Sequence, residues 1–227
     1  EKKNKNNFPK VELFVSRQNS RKLLSDLQAS TKKWVNAYIS YPSNEINFQK
    51  INLRYRGDNP INWLNQKKQL RIKTRKNELI NGYRHINYSI FKADKYLSYL
   101  ISDKMDLINQ NYNLVELYIN GETQGLYIEQ EKIDETFLRK NKLMPTNIYK
   151  GENNATETFI GLNKNLFNNP ALWSKLAVFN QENPDNFEDL TSFLKTLKSN
   201  KFQSDPTINE YIDLKYYSRL EAFLAIT

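Results

Sequence analysis

The most informative stretch of the sequence is VELYINGETQGLYIEQEKID, residues 115–134. Two runs rich in β-branched and aromatic residues flank Asn120 and Gly121, the dipeptide best suited to the positive φ angles of a tight hairpin turn. Asp134 then stands where a helix N-cap belongs, ahead of a short apolar pair. The stretch therefore predicts a β-hairpin that leads through an acidic segment into a helix.

The composition limits the chemistry that these residues can perform. The 227 residues include no cysteine and one histidine, His85. Disulfides, thiolate nucleophiles and cysteine-based zinc sites are therefore excluded, and one histidine cannot build a histidine-rich metal site. Because Asn81 and Gly82 beside it signal a turn, we interpret His85 as a surface or strand-end residue. Any catalysis within these residues uses carboxylates and cations.

The net charge is +9, with 34 Lys and Arg residues against 25 Asp and Glu, and it suggests an anionic partner. The cations are densest between residues 54 and 76, where eight basic residues accompany one acid, Asp58. Within this segment Leu70 and Ile72 alternate with basic residues, as on the two faces of a strand. Exposure to solvent on the protein surface is enough to explain the presence of any single lysine in this segment. The whole row predicts a nearby anion or carboxylate, because like charges on one strand face repel.

The periodicity of apolar residues predicts the order of the elements. Strands are expected at residues 11–16, 34–41, 51–55 and 69–74, and helices at 17–30, 93–108, 135–142, 171–180, 187–199 and from 208 onward. The Asn-rich residues 151–169 predict a loop. Strands followed by helices predict an α+β chain with a sheet-rich amino lobe and a helical carboxyl lobe.

Four motifs, in this order, resemble the CotH-type kinases, a family named for a bacterial spore-coat protein and built distantly on the protein-kinase fold. The motifs are LRYRGDN at residues 53–59, KKQLRIK at 67–73, the hairpin with its acidic segment at 115–134, and IYKG at 148–151. The hairpin motif is the most specific, and the resemblance extends from about residue 11 to the end. It implies a protein-kinase-like fold with an atypical sheet-rich amino lobe, a hinge and an incomplete helical carboxyl lobe.

The resemblance also implies an organisation of the chain. Its parts are a polar basic leader at residues 1–10, a sheet-rich nucleotide lobe at 11–133 and a partial helical lobe at 134–227. Within the nucleotide lobe, the strand at 69–74 would carry a phosphate-binding lysine, the helix at 93–108 would pack behind it, and residues 129–133 would form the hinge that borders the adenine.

The nucleotide-binding residues that the resemblance implies are Arg56, Lys68, Lys73, Glu131 and Lys150. The six glycines form no glycine-rich phosphate loop, so side chains are expected to hold the phosphates. Lys73 or Arg71 of the strand at 69–74 would face the phosphates, and Lys73 is the first choice. Lys68 is the alternative, because the paired lysines of the family align with Lys67 and Lys68. Strand alternation places Lys68 and Lys73 on opposite faces unless a bulge intervenes.

Two of these residues keep alternative interpretations. Arg56 precedes Gly57 at a predicted turn, where its guanidinium would reach a phosphate in a bidentate manner. A salt bridge from Arg56 to Asp58 is an equal alternative. Glu131 would accept a hydrogen bond from a polar edge of the nucleotide or pair with Lys150. The other interpretation of Glu131 is a cap or a surface residue.

The activity that the resemblance implies is transfer of phosphate from ATP, with Mg²⁺, to Ser or Thr hydroxyls of a protein substrate. In the family, the catalytic base and the metal-binding Asp residues follow the helix predicted at 211–227. No catalytic or metal-binding residue is identified within this chain. We therefore expect these 227 residues to be inactive by themselves.

Two other functions stay open. The first is a catalytically inactive coat or surface protein whose cationic face binds an anionic polymer. The second, less favoured, is a nucleic-acid binder, suggested by Tyr55, Trp63 and Tyr83 around the basic strands although no familiar nucleic-acid motif is present.

The location of the protein is an expectation based on the family. A cell-envelope, secreted or spore-surface location agrees with the absence of cysteine and with a first residue, Glu1, that is not Met. A cytoplasmic location is the alternative. No membrane span is expected within these residues, because the sequence has no long apolar run.

Overall fold

The structure is a computed structural model that describes residues 8–57, 61–151, 166–198 and 208–226. The strands are β1 (Lys10–Phe14), β2 (Val35–Tyr41), β3 (Ile46–Tyr55), β4 (Leu70–Lys73), β5 (His85–Ile90), β6 (Tyr112–Ile119), β7 (Glu122–Glu131), β8 (Ile148–Gly151) and β9 (Trp173–Ala177). The helices are α1 (Arg17–Ser25), α2 (Ile61–Leu64), α3 (Ala93–Lys104), α4 (Glu135–Lys140), α5 (Glu188–Lys198), α6 (Ile208–Tyr211) and α7 (Leu214–Ile226).

Strands β1 to β7 form a closed barrel in the order β1-β2-β3-β4-β5-β7-β6. Neighbouring strands are antiparallel, except that β1 and β6 run parallel where the barrel closes. The mixed α/β class and the sheet-rich first part are as expected. The closed barrel is a feature that the resemblance to kinases did not predict.

The hairpin of β6 and β7 confirms the prediction from residues 115–134. Asn120 and Gly121 have φ angles of 52° and 84°, the left-handed conformation that this tight turn requires. The Asn120 side chain also accepts a hydrogen bond from the Val15 N–H at 2.8 Å and donates one to the Val15 carbonyl at 2.9 Å. Asp134 caps α4 by accepting a hydrogen bond from the Thr136 N–H at 3.0 Å.

The core of the barrel consists of the inward-facing side chains of alternate strand positions. Among the most deeply buried are Val11, Leu13, Ile39, Leu53, Ile72, Ile86, Tyr88, Leu117 and Tyr127. Leu70 and Ile72 are buried, whereas Arg71 and Lys73 between and after them are half-buried. The predicted alternation of an apolar and a cationic face on β4 is therefore confirmed.

One element near the predicted lysine strand differs from the expectations. Strand β5 was not predicted and lies between β4 and α3, so the strand directly before α3 is His85–Ile90 rather than residues 69–74. Its sequence, HINYSI, has polar residues on one face and apolar residues on the other, and four of its six residues are buried. His85 is the first residue of β5, in agreement with its interpretation as a strand-end residue.

The prediction of a helix at residues 171–180 is wrong. Pro170–Leu172 form a short turn, and Trp173–Ala177 form β9, which pairs with β8 in a two-stranded sheet. The apolar spacing of this segment fits a helix locally, but pairing with β8 supplies its backbone hydrogen bonds, and a distant partner strand is not visible in a short window. The helix predicted from residue 208 is divided in two, because Asp213 caps α7 by accepting the Tyr216 N–H at 2.9 Å.

The chain divides into two compact units. The first contains Glu1–Tyr96 and Gln110–Lys132, and the second contains Leu97–Asn109 and Ile133–Thr227. The assignment of these units as nucleotide lobe and helical lobe stays a prediction. Lys10, the last residue of the predicted leader, already belongs to β1, and residues 1–7 lie outside the described residues.

The second unit has its own packing. Phe137 and Leu138 of α4 and Leu190 and Leu194 of α5 are buried. The loop predicted at residues 151–169 falls mostly outside the described residues. In the described part of the chain, no helix is long and apolar enough to cross a membrane.

Candidate functional site

The outward face of β3, β4, β5 and β7 carries basic and amide side chains in register. One row across the four strands is Arg54, Arg71, Asn87 and Gln130, each directly opposite the next. A second row pairs Asn52, Lys73 and His85. We call the cations on this side of the barrel the cationic face, which consists of Arg54, Arg56, Arg71, Lys73 and Lys95.

Strand β5 holds two of these guanidinium groups through short polar side chains. Asn87 and Ser89 are each about 1% exposed, although both face outward between the core residues. The Arg71 Nε donates to the Asn87 Oδ1 at 2.6 Å, and the Arg56 Nη1 donates to the Ser89 Oγ at 3.2 Å. Because a held side chain loses less freedom on binding, these contacts preorganise both cations for an anion.

Arg56 and Lys95 meet at one partly buried hydrogen-bond network, which we call the Arg56–Lys95 network. Its amide and hydroxyl members are Gln69, Ser89 and Gln130. The Arg56 Nη1 donates to the Gln69 Oε1 at 3.2 Å, and the Ser89 Oγ donates to the Gln130 Oε1 at 3.1 Å. The Lys95 Nζ, from the first turn of α3, reaches the same Gln130 Oε1 at 3.5 Å. Two cations from distant segments therefore converge on one set of neutral acceptors.

The electrostatics of Lys95 reflect this convergence. Burial, as the largest cause, and the charges of Arg56 and Lys92 together lower the pKa of the Lys95 ammonium to about 8. Two positive charges that repel each other in a partly buried place favour the binding of an anion, because the anion reduces their repulsion. The chemistry of this location suits a phosphate or carboxylate ligand.

Trp34 lies beside two other cations of the face. The Arg54 guanidinium carbon is 4.8 Å from the centroid of the Trp34 ring, and the Lys73 Nζ is 5.9 Å from it. Arg54 also donates to the Thr31 carbonyl. Both distances are within the range of cation–π attraction, so the indole helps to hold Lys73 and Arg54 on the same side of the barrel.

Gly57 is required by the turn that follows Arg56. Its φ angle of +114° lies in the left-handed region, and a Cβ at this position would collide with the Asn62 side chain. Asn62 in turn accepts a hydrogen bond from the Gln69 Nε2 at 2.6 Å, which links the turn to the Arg56–Lys95 network. The alternative salt bridge from Arg56 to Asp58 concerns a residue outside the described part of the chain.

The structure separates the two candidate lysines. Lys73 lies at the end of β4 on the cationic face, whereas Lys68 precedes β4. The Lys68 Nζ donates to the Asn65 carbonyl at 2.8 Å and lies 5.7 Å from the ring of Tyr55, whose side chain is buried in the core. Lys73, rather than Lys68, therefore accompanies Arg71 on the outward face.

Glu131 is on the inward side of the barrel wall, and Lys150 belongs to the other compact unit. Glu131 is opposite the core residue Ile86 on the inward side of β7, where its Oε1 accepts the Asn111 N–H at 2.8 Å. Lys150 is an exposed residue of β8 in the second unit. The expected hinge at 129–133 also starts too early, because its first three residues still belong to β7.

Four members of the Arg56–Lys95 network were not identified as site residues from the sequence: Gln69, Ser89, Lys95 and Gln130. Amides and hydroxyls carry no motif, and Ser89 lies on a strand that the periodicity did not predict. Lys95 offered one signal, a cation at the start of an amphipathic helix. Its meeting with Arg56 depends on the pairing of β3, β4, β5 and β7.

Of the two cofactors that the family implies, ATP fits the described residues better than Mg²⁺ does. The cationic face has the donors that the phosphates of ATP require. No group of three or more Asp, Glu or His side chains within the described ranges is arranged to hold a metal ion. We therefore derive no step that involves Mg²⁺.

The aromatic residues that suggested nucleic-acid binding are oriented toward the core. Tyr55 is buried, and Trp63 and Tyr83 are partly buried and packed against the core cluster. Rings in such positions do not offer the exposed faces on which bases stack. Their arrangement gives no support to that alternative.

Comparison with known proteins agrees with the motifs. No curated protein matches the sequence. The model of the CotH kinase protein family matches residues 53–225, from the last three residues of β3 almost to the end of α7. The match includes β4, β5 and the β6–β7 hairpin, and it covers well over half of the chain. The chain therefore belongs to the CotH kinase protein family.

Proposed function

We propose that this chain provides the ATP-binding part of a protein kinase that phosphorylates Ser or Thr hydroxyls. Family membership supports a kinase-like function. The observation that carries the proposal is the convergence of Arg56 and Lys95 on the network of Gln69, Ser89 and Gln130, beside Arg71 and Lys73 on the same face.

The order of the elements supports a kinase-like arrangement. Strand β5 is followed by α3, then by the β6–β7 hairpin, and then by a short connection into α4. This is the order of strand, helix, hairpin and hinge that the resemblance implies. Strand β5 has no lysine. In this proposal its outward Asn87 and Ser89 instead hold arginines from β4 and from the end of β3.

The cationic face would hold the phosphates through side chains. ATP supplies the phosphoryl group that is transferred. Arg56 offers a planar guanidinium group, and Lys73 and Lys95 each offer an ammonium group on the same cationic face as Arg71. These residues would orient the phosphates and neutralise their charge, which is the main contribution of protein groups to phosphoryl transfer.

A calorimetric titration of ATP at moderate salt, with and without magnesium, tests this proposal. The variants are Lys73→Ala, Lys95→Ala and Lys68→Ala, with Lys50→Ala as the matched control because Lys50 is an exposed cation of β3. We expect Lys73→Ala and Lys95→Ala each to weaken ATP binding about tenfold, roughly the effect of losing one charge-assisted hydrogen bond. Lys68→Ala and Lys50→Ala should bind like the wild type.

Equal ATP affinity in all four variants would contradict the proposal. Loss of affinity in Lys68→Ala alone would move the phosphate site to the segment before β4. If ATP does not bind but poly-glutamate does, and Lys73→Ala abolishes that binding, the anionic-polymer alternative would replace the kinase proposal. Protein phosphorylation with labelled ATP then tests the transfer itself.

A further inference from the structure

A second concave site lies on the inward side of the barrel wall. It is a cavity of about 480 Å³, formed entirely by residues of the first unit. Its lining includes Tyr41 from β2, Tyr83 from the turn before β5, Asn113 from β6, and Glu129 and Glu131 from β7. This volume is within the usual range of small-molecule pockets.

Two carboxylates face this cavity because of the strand period. Glu129 and Glu131 are two positions apart on β7, which places both side chains on the inward face, roughly 7 Å apart along the strand. They are 5% and 2% exposed. Among the described residues that line the cavity, none is Lys, Arg or His. A chain with a net charge of +9 therefore has an acidic cavity on the inward side of the barrel wall that carries the cationic face.

Neutral donors from three strands hold Glu129 in place. The Tyr88 hydroxyl donates to one carboxylate oxygen at 3.1 Å, and the Tyr41 hydroxyl donates to the other at 3.4 Å. Asn113 also hydrogen-bonds to this carboxylate. Burial raises the pKa of Glu129 to about 7, and these hydrogen bonds act in the opposite direction.

Glu129 is an ionisable residue at a position where burying an apolar side chain would cost less free energy. Burying a carboxylate without a cationic partner is unfavourable, and perturbed acids in cavities are typical of binding sites. A bound cation would favour the ionised form of Glu129 and offset this cost.

We propose that this cavity binds a small organic ammonium ion, with Glu129 and Glu131 as the charge partners and the Tyr41 hydroxyl and Asn113 as the polar frame. Ammonium groups fit better than a metal ion, because the described residues offer two carboxylates rather than the larger oxygen set of a Mg²⁺ or Ca²⁺ site. The spacing of the two carboxylates suits a short diamine. An anionic ligand would be repelled by both of them.

Titration with 1,4-diaminobutane at pH 8, where Glu129 is mostly ionised, tests this inference, with 1,4-butanediol as the neutral control ligand. The variants are Glu129→Gln and Glu131→Gln. The matched control is Glu122→Gln, which removes an exposed carboxylate from the same strand. We expect each cavity variant to weaken diamine binding at least about tenfold. Glu122→Gln should bind the diamine like the wild type, and the diol should not bind.

Folding of the variants is checked separately by denaturant unfolding, since a glutamine at position 129 retains only one of the two acceptor oxygens that the Tyr41 and Tyr88 hydroxyls use. Equal binding of the diol, or unchanged diamine affinity in both cavity variants, overturns the inference. Binding of Mg²⁺ but not diamine at these carboxylates also overturns it. Lys73→Ala is expected to leave diamine binding intact, so failure of the ATP proposal and failure of this inference are distinguishable.

Discussion

The two sides of β7 show opposite electrostatics within three consecutive residues. Gln130 faces outward and joins the Arg56–Lys95 network, whereas Glu129 and Glu131 face the acidic cavity. Successive side chains of a strand point to opposite faces, so one barrel wall separates a cationic surface from buried carboxylates. A shift of the register by one residue would exchange the two environments. The charge pattern of this protein therefore belongs to the two faces of the barrel wall rather than to segments of the chain.

The largest expected effect comes from protonation of Glu129. Its folded-state pKa is raised from 4.5 to about 7, so the folded protein binds a proton more tightly than the unfolded chain. The stabilising contribution is complete below about pH 4.5 and is lost as the pH rises through 7. The loss amounts to on the order of 3 kcal/mol in the free energy of unfolding.

Urea unfolding at pH 5 and pH 8 measures this effect. We expect Glu129→Gln to be more stable than the wild type at pH 8 and to lose the pH dependence that this residue causes. Glu122→Gln, on the exposed part of the same strand, should follow the wild type. A Glu129→Gln variant with an unchanged pH dependence would show that Glu129 is ionised throughout this range.

The next effect concerns the outward side of β7. Gln130→Leu removes the shared acceptor of Ser89 and Lys95 from a position that is about 1% exposed. We expect a loss of about 2 kcal/mol in the free energy of unfolding, because buried polar groups lose a partner. Chemical denaturation measures it, with Gln124→Leu on the same strand as the control. Equal stability of the two variants would mean that the network does not contribute to folding.

The smallest effect is a shift in the titration of Lys95. The charge of Arg56 helps to lower the pKa of Lys95, so Arg56→Gln should raise that pKa toward its usual value. An NMR titration of the lysine ε-methylene signals follows this change. Arg75→Gln serves as the control, because Arg75 pairs with Glu78 on the surface at 3.0 Å. A Lys95 pKa that stays the same or falls in Arg56→Gln would disprove the proximity of the two charges.

Several features could be predicted because they depend on neighbouring residues. The turn at Asn120 and Gly121, the cap at Asp134 and the two faces of β4 are local consequences of backbone angles, capping and the strand period. Family membership was also visible, since its motifs are contiguous. The placement of Lys73 on a cationic face followed from alternation alone.

Other features could not be predicted because they depend on partners distant in the chain. The hydrogen bonds between Arg56 and Ser89, and between Lys95 and Gln130, join segments about 35 residues apart. Strand β9 resembled a helix until its pairing with β8 was known. The opposite environments of Glu131 and Gln130 follow from which strands pair beside β7.

The amino-acid sequence alone determined the family, the mixed α/β class, the hairpin and the cationic character of β4, because local periodicity and contiguous motifs carry this information. The tertiary structure decided that the barrel closes through the parallel contact of β1 and β6, that Arg56 and Lys95 share acceptors, and that two glutamates face a cavity. These outcomes depend on strand pairing, whose free energy comes from burying side chains that are far apart in the chain.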